Sequence, residues 1–126
     1  MIMSAFPAEA TFPRRPLTAS ELRWIAEGIS VDWEHLVVNY ILTEEFMDHW
    51  ADTLDWQLIS QYQQLSEEFI TKHSGQVAWY YITWHQELSA EFIITHLARL
   101  DPEGLIRVHP EIYRVYHLEV YYGLTR

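Results

Sequence analysis

The chain has 126 residues and a mass of 15.1 kDa, the size of one domain. It is 49% hydrophobic and lacks cysteine, which excludes a disordered chain, a disulfide framework and a thiolate metal site. A net charge of −10 argues against direct binding to nucleic acid or an anionic membrane, and favours basic proteins as partners. No apolar run is long enough to span a membrane and no signal peptide is recognisable, so we expect a cytoplasmic protein.

Residues 1–16 contain three prolines and predict a flexible N-terminal arm. We expect a single helical repeat domain over residues 17–126, which opens with a cap at residues 17–31. Thr18 with Glu21 three residues later forms a capping-box pattern, and Gly28 is a typical residue after a helix end. The cap therefore predicts a helix from Thr18 to Glu27.

A 23-residue repeat then organises the chain, with copies at residues 32–54, 55–77 and 78–100. The aligned positions hold Trp33, Trp56 and Trp79; Leu36, Ile59 and Ile82; Leu42, Leu65 and Leu88; Thr43, Ser66 and Ser89; Glu45, Glu68 and Glu91; and Phe46, Phe69 and Phe92. So many aligned columns cannot plausibly arise by chance.

Each copy predicts two short helices. Asp32 and Asp55 precede the tryptophans as N-caps, and the Thr/Ser column caps the second helix. Such short helices are unstable alone, so their apolar columns must be buried against neighbouring copies. We therefore predict an all-α fold, a short solenoid-like stack of three 23-residue helical hairpins between capping helices. The three tryptophans should be buried in equivalent positions.

Residues 101–126 predict a C-terminal cap. Asp101 and Pro102 keep the N-cap position and add a favourable first helical residue. Residues 110–122 fit a last helix through Ile112, Val115 and Tyr116, but they also alternate as a strand would. The helix is favoured because it completes a degenerate fourth repeat.

The middle copy, DWQLISQYQQLSEEFITKHSGQV, resembles short tryptophan-containing tandem repeats of the type W-x-x-I-S-x-x-Q-x-L-S-E-E-F-I. These occur in proteins of phages, prophages and large DNA viruses. The resemblance covers residues 32–100. It implies an interaction scaffold of viral or mobile-element origin and brings no catalytic residues.

Acidic residues dominate the stretch from Trp24 to Thr71, which contains no Lys or Arg. The partner-binding acidic face predicted from it consists of Glu34, Glu44, Glu45, Asp48, Asp52, Glu67 and Glu68. Glu44, Asp48 and Asp52 are four residues apart, so we expect them on one helix face at about 6 Å per step, near the spacing of DNA phosphates. One interpretation is a face that mimics DNA and occupies the nucleic-acid groove of a basic protein. The alternative is that these acids only cap helices and keep the surface solvated.

Aromatic residues supply a second candidate surface. Tyr80 and Trp84 lie four residues apart, so they share a helix face and would suit partner binding or self-association. The alternative is that they receive the C-terminal tyrosines, Tyr113, Tyr116, Tyr121 and Tyr122.

Neither catalysis nor cofactor binding finds support in the sequence. The seven histidines lack the His-x-x-x-His spacing of a helical metal site, and no phosphate-binding loop or nucleophile motif is present. We expect a non-enzymatic acidic protein-binding module without metal or cofactor. The resemblance implies a phage or prophage protein in the host cytoplasm, which would inhibit a basic host protein that handles nucleic acid, as anti-defence or anti-CRISPR proteins do. The alternative is a self-associating scaffold, such as a homodimer.

Overall fold

The computed structural model describes residues 14–118. This part of the chain is mostly helical, which confirms the all-α prediction. It forms two compact units, residues 14–63 and residues 64–118, and the boundary falls between the two helices of the second predicted repeat. The stacking of three repeats into one solenoid stays a prediction.

The first unit contains four helices and a two-stranded pair. Its elements are β1 (Arg15–Pro16), α1 (Ala19–Ala26), α2 (Trp33–Asn39), β2 (Tyr40–Ile41), α3 (Glu44–His49) and α4 (Trp56–Tyr62). Helix α2 packs against α4, 23 residues further along the chain. The predicted capping box of α1 is present, and Gly28 takes a φ of 90°, which glycine adopts without strain.

The second unit contains five helices in its described part. They are α5 (Glu67–Lys72), α6 (Trp79–His85), α7 (Ala90–Thr95), α8 (Pro102–Val108) and α9 (Pro110–Val115). Helix α6 packs against α8, as α2 does against α4. The favoured helical prediction for the C-terminal segment is confirmed over Pro110–Val115. Residues 119–126, with Tyr121 and Tyr122, lie outside the described part.

Side-chain caps start the helices where the sequence predicts them. The hydroxyl or carboxylate accepts a backbone N–H two or three residues onward at Thr18, Asp32, Thr43, Asp55, Ser66, Ser89 and Asp101. Helix α6 follows Ala78 and has no side-chain cap. Each such bond satisfies a donor that the first helical turn leaves free.

The core follows the 23-residue spacing through its aliphatic residues. The column Leu36, Ile59, Ile82 and Leu105 is at most 1% exposed, and the column Met47, Ile70 and Ile93 is fully buried. The first column lies on the first helix of each hairpin and the second on the following helix. The repeat signal therefore reports the burial of aliphatic side chains.

The tryptophans depart from the prediction, because Trp33, Trp56 and Trp79 are only half-buried. Each is the first residue of its helix. The Trp79 ring stacks on Phe92 with centroids 6.2 Å apart, and its Nε1 donates to the Ser74 carbonyl at 3.0 Å. The rings of Trp33 and Trp79 therefore lie against the second helix of their own hairpin, and the indole N–H groups of Trp56 and Trp79 donate to a carbonyl of the preceding copy.

The last residues of the predicted arm are ordered. Arg15 and Pro16 pair in parallel with Tyr40 and Ile41 as β1 and β2. Arg14 donates to the carbonyls at the end of α2, which ties this segment to the first unit. The remainder of the predicted arm, residues 1–13, lies outside the described part.

Candidate protein-binding surface

The predicted acidic face is distributed over four places in the fold. Glu34 lies in the first turn of α2. Glu44, Glu45 and Asp48 lie on α3, and Asp52 follows α3 in a turn. Glu67 and Glu68 open α5 in the second unit.

The prediction that Glu44, Asp48 and Asp52 line one helix face is wrong. Helix α3 ends at His49, and Trp50 is its C-cap, so Asp52 is not helical. Glu44 is half-buried, whereas Asp48 and Asp52 are exposed. A hairpin of 23 residues leaves room for only six helical residues here, so the regular spacing that would imitate phosphates is absent.

Exposed carboxylates remain on the first unit at Glu34, Glu45, Asp48 and Asp52, and we call these four the acidic surface. Within residues 14–118, the side chains of Glu34, Glu45 and Asp52 form no hydrogen bond or ion pair. Glu45 and Glu34 lie in first helical turns, where the helix dipole favours negative charge. Glu34, Glu45 and Asp52 are thus available to an outside cation.

Two of the three arginines of the first unit's described part are engaged within it. Arg15 makes a bidentate pair with Glu21, at 2.8 and 2.9 Å, and its guanidinium lies 4.9 Å from the centre of the Tyr40 ring. The Arg15 hydrogen bond holds the pKa of Glu21 below its ordinary value and raises the pKa of Arg15. Arg15 therefore does not neutralise the acidic surface, and the same holds for Arg14.

Arg14 is the second engaged arginine. Its Nη1 donates to the Tyr62 carbonyl at 2.6 Å, and its Nη2 donates to those of Tyr40 at 3.0 Å and Val37 at 3.3 Å. Burial lowers its pKa. Arg23 on α1 is exposed and is the remaining arginine among residues 14–63.

A groove runs between α1 and α3 in the first unit. Its apolar lining comes from Leu22, Ala26, Phe46 and Trp50, and its polar lining from Thr43, Glu45 and His49. Leu22 is 43% exposed, a large value for a leucine on a small domain. This groove could not be predicted from the sequence, because Leu22 and Trp50 lie in different predicted segments.

In the second unit, Glu67 has a structural role that the sequence did not reveal. Its carboxylate accepts the Ser89 backbone N–H at 2.6 Å and the Ser89 hydroxyl at 3.0 Å. Glu67 thus joins α5 to the start of α7, whereas Glu68 next to it is exposed without a side-chain partner in the described part. Of this predicted pair, Glu68 is the one available to a partner.

A second groove, between α5 and α7, is lined by Glu67, Glu68, Thr71, Glu91, Phe92, Thr95 and His96. His96 packs on Phe92 with ring centroids 4.2 Å apart. Its pKa is lowered mainly by burial and secondarily by Arg99, against an opposing effect of Glu67. The histidine is therefore a packing residue that favours its neutral form.

The two predicted aromatic residues differ in environment. Tyr80 is 54% exposed. Trp84 is half-buried, and its Nε1 donates to Oδ2 of Asp101 at 3.0 Å. A Cβ added at Gly104 would lie 2.9 Å from that indole nitrogen, so α8 approaches Trp84 closely. Trp84 therefore contacts α8, whereas the more exposed Tyr80 contacts, among the aromatic rings of the described part, only those of its neighbours Tyr81 and Trp84.

Neither a metal site nor a membrane span is found where the structure is described. No three His, Asp or Glu side chains among residues 14–118 are grouped to hold a metal ion. No helix in that range is long and apolar enough to cross a bilayer.

Comparison of the chain with protein-family models, curated proteins and solved structures gave no match.

Proposed function

We propose that this protein is a non-enzymatic binding module whose acidic surface engages a basic partner protein. One observation carries the proposal: Glu34, Glu45 and Asp52 are exposed and unpaired in a unit whose Arg14 and Arg15 are engaged internally. Ordinary helix surfaces mix both signs of charge in neighbouring pairs. A surface of one sign attracts an oppositely charged protein over a distance and speeds association.

The net charge of −10 makes a protein that handles nucleic acid a suitable partner, because such proteins carry contiguous positive surfaces. We extend the proposal to a phage or prophage protein that inhibits such a host protein, as an anti-defence or anti-CRISPR protein would. This extension is supported by the repeat resemblance alone. Imitation of DNA would require the carboxylates to follow a phosphate-like path, and the end of α3 at His49 removes the regular spacing that suggested one.

Self-association through the second unit is the competing function. Tyr80 is 54% exposed on α6, and Val115 and Tyr116 near α9 are 64% and 52% exposed. Exposed aromatic side chains are frequent in protein interfaces. The two functions can be distinguished on the purified protein, because self-association requires no other protein and depends on the protein's own concentration.

The experiment compares capture from a bacterial lysate by the wild type and two charge-reversed variants. Glu45→Lys with Asp52→Lys changes the acidic surface, and Glu87→Lys with Glu111→Lys makes the same change of charge on exposed residues of the second unit. We expect the first variant to lose a captured protein that the control variant retains. The captured protein is then purified, and DNA is tested as a competitor for it.

Equal capture by the wild type and both variants would refute the proposal. A sedimentation measurement on the protein alone addresses the alternative. A dimer that Tyr80→Ala dissociates would support self-association, whereas a monomer at all concentrations would exclude it.

A further inference from the structure

The groove between α1 and α3 is lined by apolar side chains together with one acidic residue, Glu45. Leu22 and Ala26 form one wall, and Phe46 and Trp50 form the other. The exposed Glu45 belongs to the same lining. Aromatic and aliphatic side chains with a charged neighbour are typical of the sites that carry most of the binding energy in interfaces.

Trp50 is held in a fixed orientation on this wall. Its ring centroid lies 5.1 Å from that of Trp33 and 6.4 Å from that of Phe46. The His49 ring meets it edge-on at 5.0 Å. Because the indole is already ordered, a partner that contacts it loses little side-chain entropy on binding.

Charge decides which partner fits. Glu45 lies in the lining with His49. Asp48 and Asp52 are exposed on and just after α3, and Arg23 is the exposed arginine of α1. We infer that the groove binds an apolar side chain of a partner segment that carries Lys or Arg next to it. This inference rests on the proposed function and names the point where the basic partner is anchored.

Two other occupants match the charge less well. A second copy would bring another chain of net charge −10 against the acidic surface, and like charges in contact disfavour association. The chain's own residues 1–13 are apolar, but they contain Glu9 and no Lys or Arg. A basic segment of another protein is the occupant that matches both the apolar lining of the groove and the acidic residues of α3.

The inference can be tested with peptides selected on the full-length protein. A library of random 12-residue peptides is selected for binding, and the enriched peptides are measured by fluorescence anisotropy against the wild type and variants. Leu22→Lys places a cation in the groove, and Ile106→Lys is a control at a residue of equal exposure, 44% against 43%. Trp50→His uses the residue that the repeat itself carries at His73 and His96.

We expect the enriched peptides to combine an aromatic or aliphatic residue with neighbouring Lys or Arg. Their affinity should fall at least tenfold with Leu22→Lys and with Trp50→His, and less than twofold with Ile106→Lys. Circular dichroism on each variant shows that it remains folded. If Trp50→His does not fold, the exposed Leu22 position still decides the result.

The remaining outcomes separate the two proposals. Peptides that lose affinity with Glu45→Lys and Asp52→Lys but not with Leu22→Lys would refute binding in the groove. The proposal of a basic partner would then still hold. Enriched peptides without Lys or Arg would overturn both. Dimerisation that Leu22→Lys abolishes would identify a second copy as the occupant, and tighter peptide binding after removal of residues 1–13 would identify that segment. Either result would overturn the inference.

Discussion

Gln63 accepts the backbone N–H of Leu42 with its side-chain Oε1 at 2.9 Å. Its Nε2 donates to the carbonyls of Val37 at 2.6 Å and Tyr40 at 2.7 Å. These backbone groups lie at the end of α2 and just after it, where a helix leaves its carbonyls without intrahelical partners. One buried amide therefore satisfies three backbone groups of the preceding hairpin.

Gln86 repeats this bond 23 residues later, where its Oε1 accepts the Leu65 N–H at 2.9 Å. Gln63 and Gln86 are 3% and 4% exposed, so their bonds form away from water. This polar column belongs to the repeat as much as the aliphatic columns do.

Replacing Gln63 by Leu should destabilise the protein strongly. The change leaves buried backbone groups of α2 and Leu42 without their partner, and each such group costs about 1–3 kcal/mol. Arg14 still reaches two of the carbonyls, so we expect a total loss of about 2–4 kcal/mol in unfolding free energy. Urea unfolding of Gln63→Leu beside Gln64→Leu, at an exposed neighbour, measures it. A loss below that of the control would show that the amide is dispensable.

The aliphatic column should carry more stability than exposed apolar residues of the same type. Ile82 is fully buried, and Ile94 is 39% exposed. Ile82→Ala should lower the unfolding free energy by about 2–5 kcal/mol, because it removes buried methyl groups and leaves a cavity. Ile94→Ala should cost under about 1 kcal/mol. Similar losses for both, measured by urea unfolding, would contradict the assignment of the core.

The sequence predicted local features of the fold well and long-range features poorly. The cap at Thr18 and the helix start at Asp55 depend on residues three positions apart, so they can be recognised from the sequence. The link from Glu67 to Ser89 and the groove that joins Leu22 to Trp50 depend on how helices pack. Neither follows from spacing along one element.

The buried glutamines were also hard to predict from the sequence. Gln63 and Gln86 are aligned in the repeat, but glutamine is usually exposed. The repeat alignment carries one signal for them. A polar residue that recurs among apolar columns can be a buried hydrogen-bonding group. The acidic surface could be predicted in composition, because charge is counted in the sequence, but not in arrangement, because the end of α3 depends on packing.

Protonation of His109 should destabilise the fold. His109 occupies the position of Gln63 and Gln86, and its Nε2 is buried without a hydrogen-bond partner among residues 14–118. Burial lowers its pKa from about 6.5, against the effect of a hydrogen bond to the Thr83 backbone. The unfolded chain therefore binds protons more readily than the folded one, so stability is lost as the pH falls below about 6.5.

Replacing His109 by Gln, the residue of the preceding repeats, should reduce this loss. Thermal unfolding of His109→Gln between pH 7 and about pH 5 should show a weaker dependence on pH than the wild type does. The exposed His85→Gln serves as the control and should retain the wild-type dependence. An unchanged dependence in His109→Gln would show that His109 does not cause the loss.

Tyr80 should behave as a surface residue and Trp84 as a structural residue. Trp84→Ala removes the bond to Asp101 and the contact with α8, so we expect a loss of about 1–3 kcal/mol and a lower Tm without a change in mass. Tyr80→Ala should change stability by less than about 0.5 kcal/mol. Calorimetry with sedimentation checks both. A folded monomer produced from a dimer by Trp84→Ala would instead support the self-association alternative.

The central claim is that the acidic surface binds a basic protein, and the salt dependence of one dissociation constant tests it most directly. The captured partner is titrated with three proteins: the wild type, the double variant Glu45→Lys with Asp52→Lys, and the control double variant Glu87→Lys with Glu111→Lys. Each titration is repeated at salt concentrations between about 0.05 and 0.3 M, a range that includes physiological ionic strength. The affinity of the wild type and of the control should weaken steeply with salt. We expect at least tenfold weaker binding at low salt, and a shallower salt dependence, for the acidic-surface variant, with unfolding unchanged. Affinity that is indifferent to salt and survives the reversal at Glu45 and Asp52 would contradict the central claim.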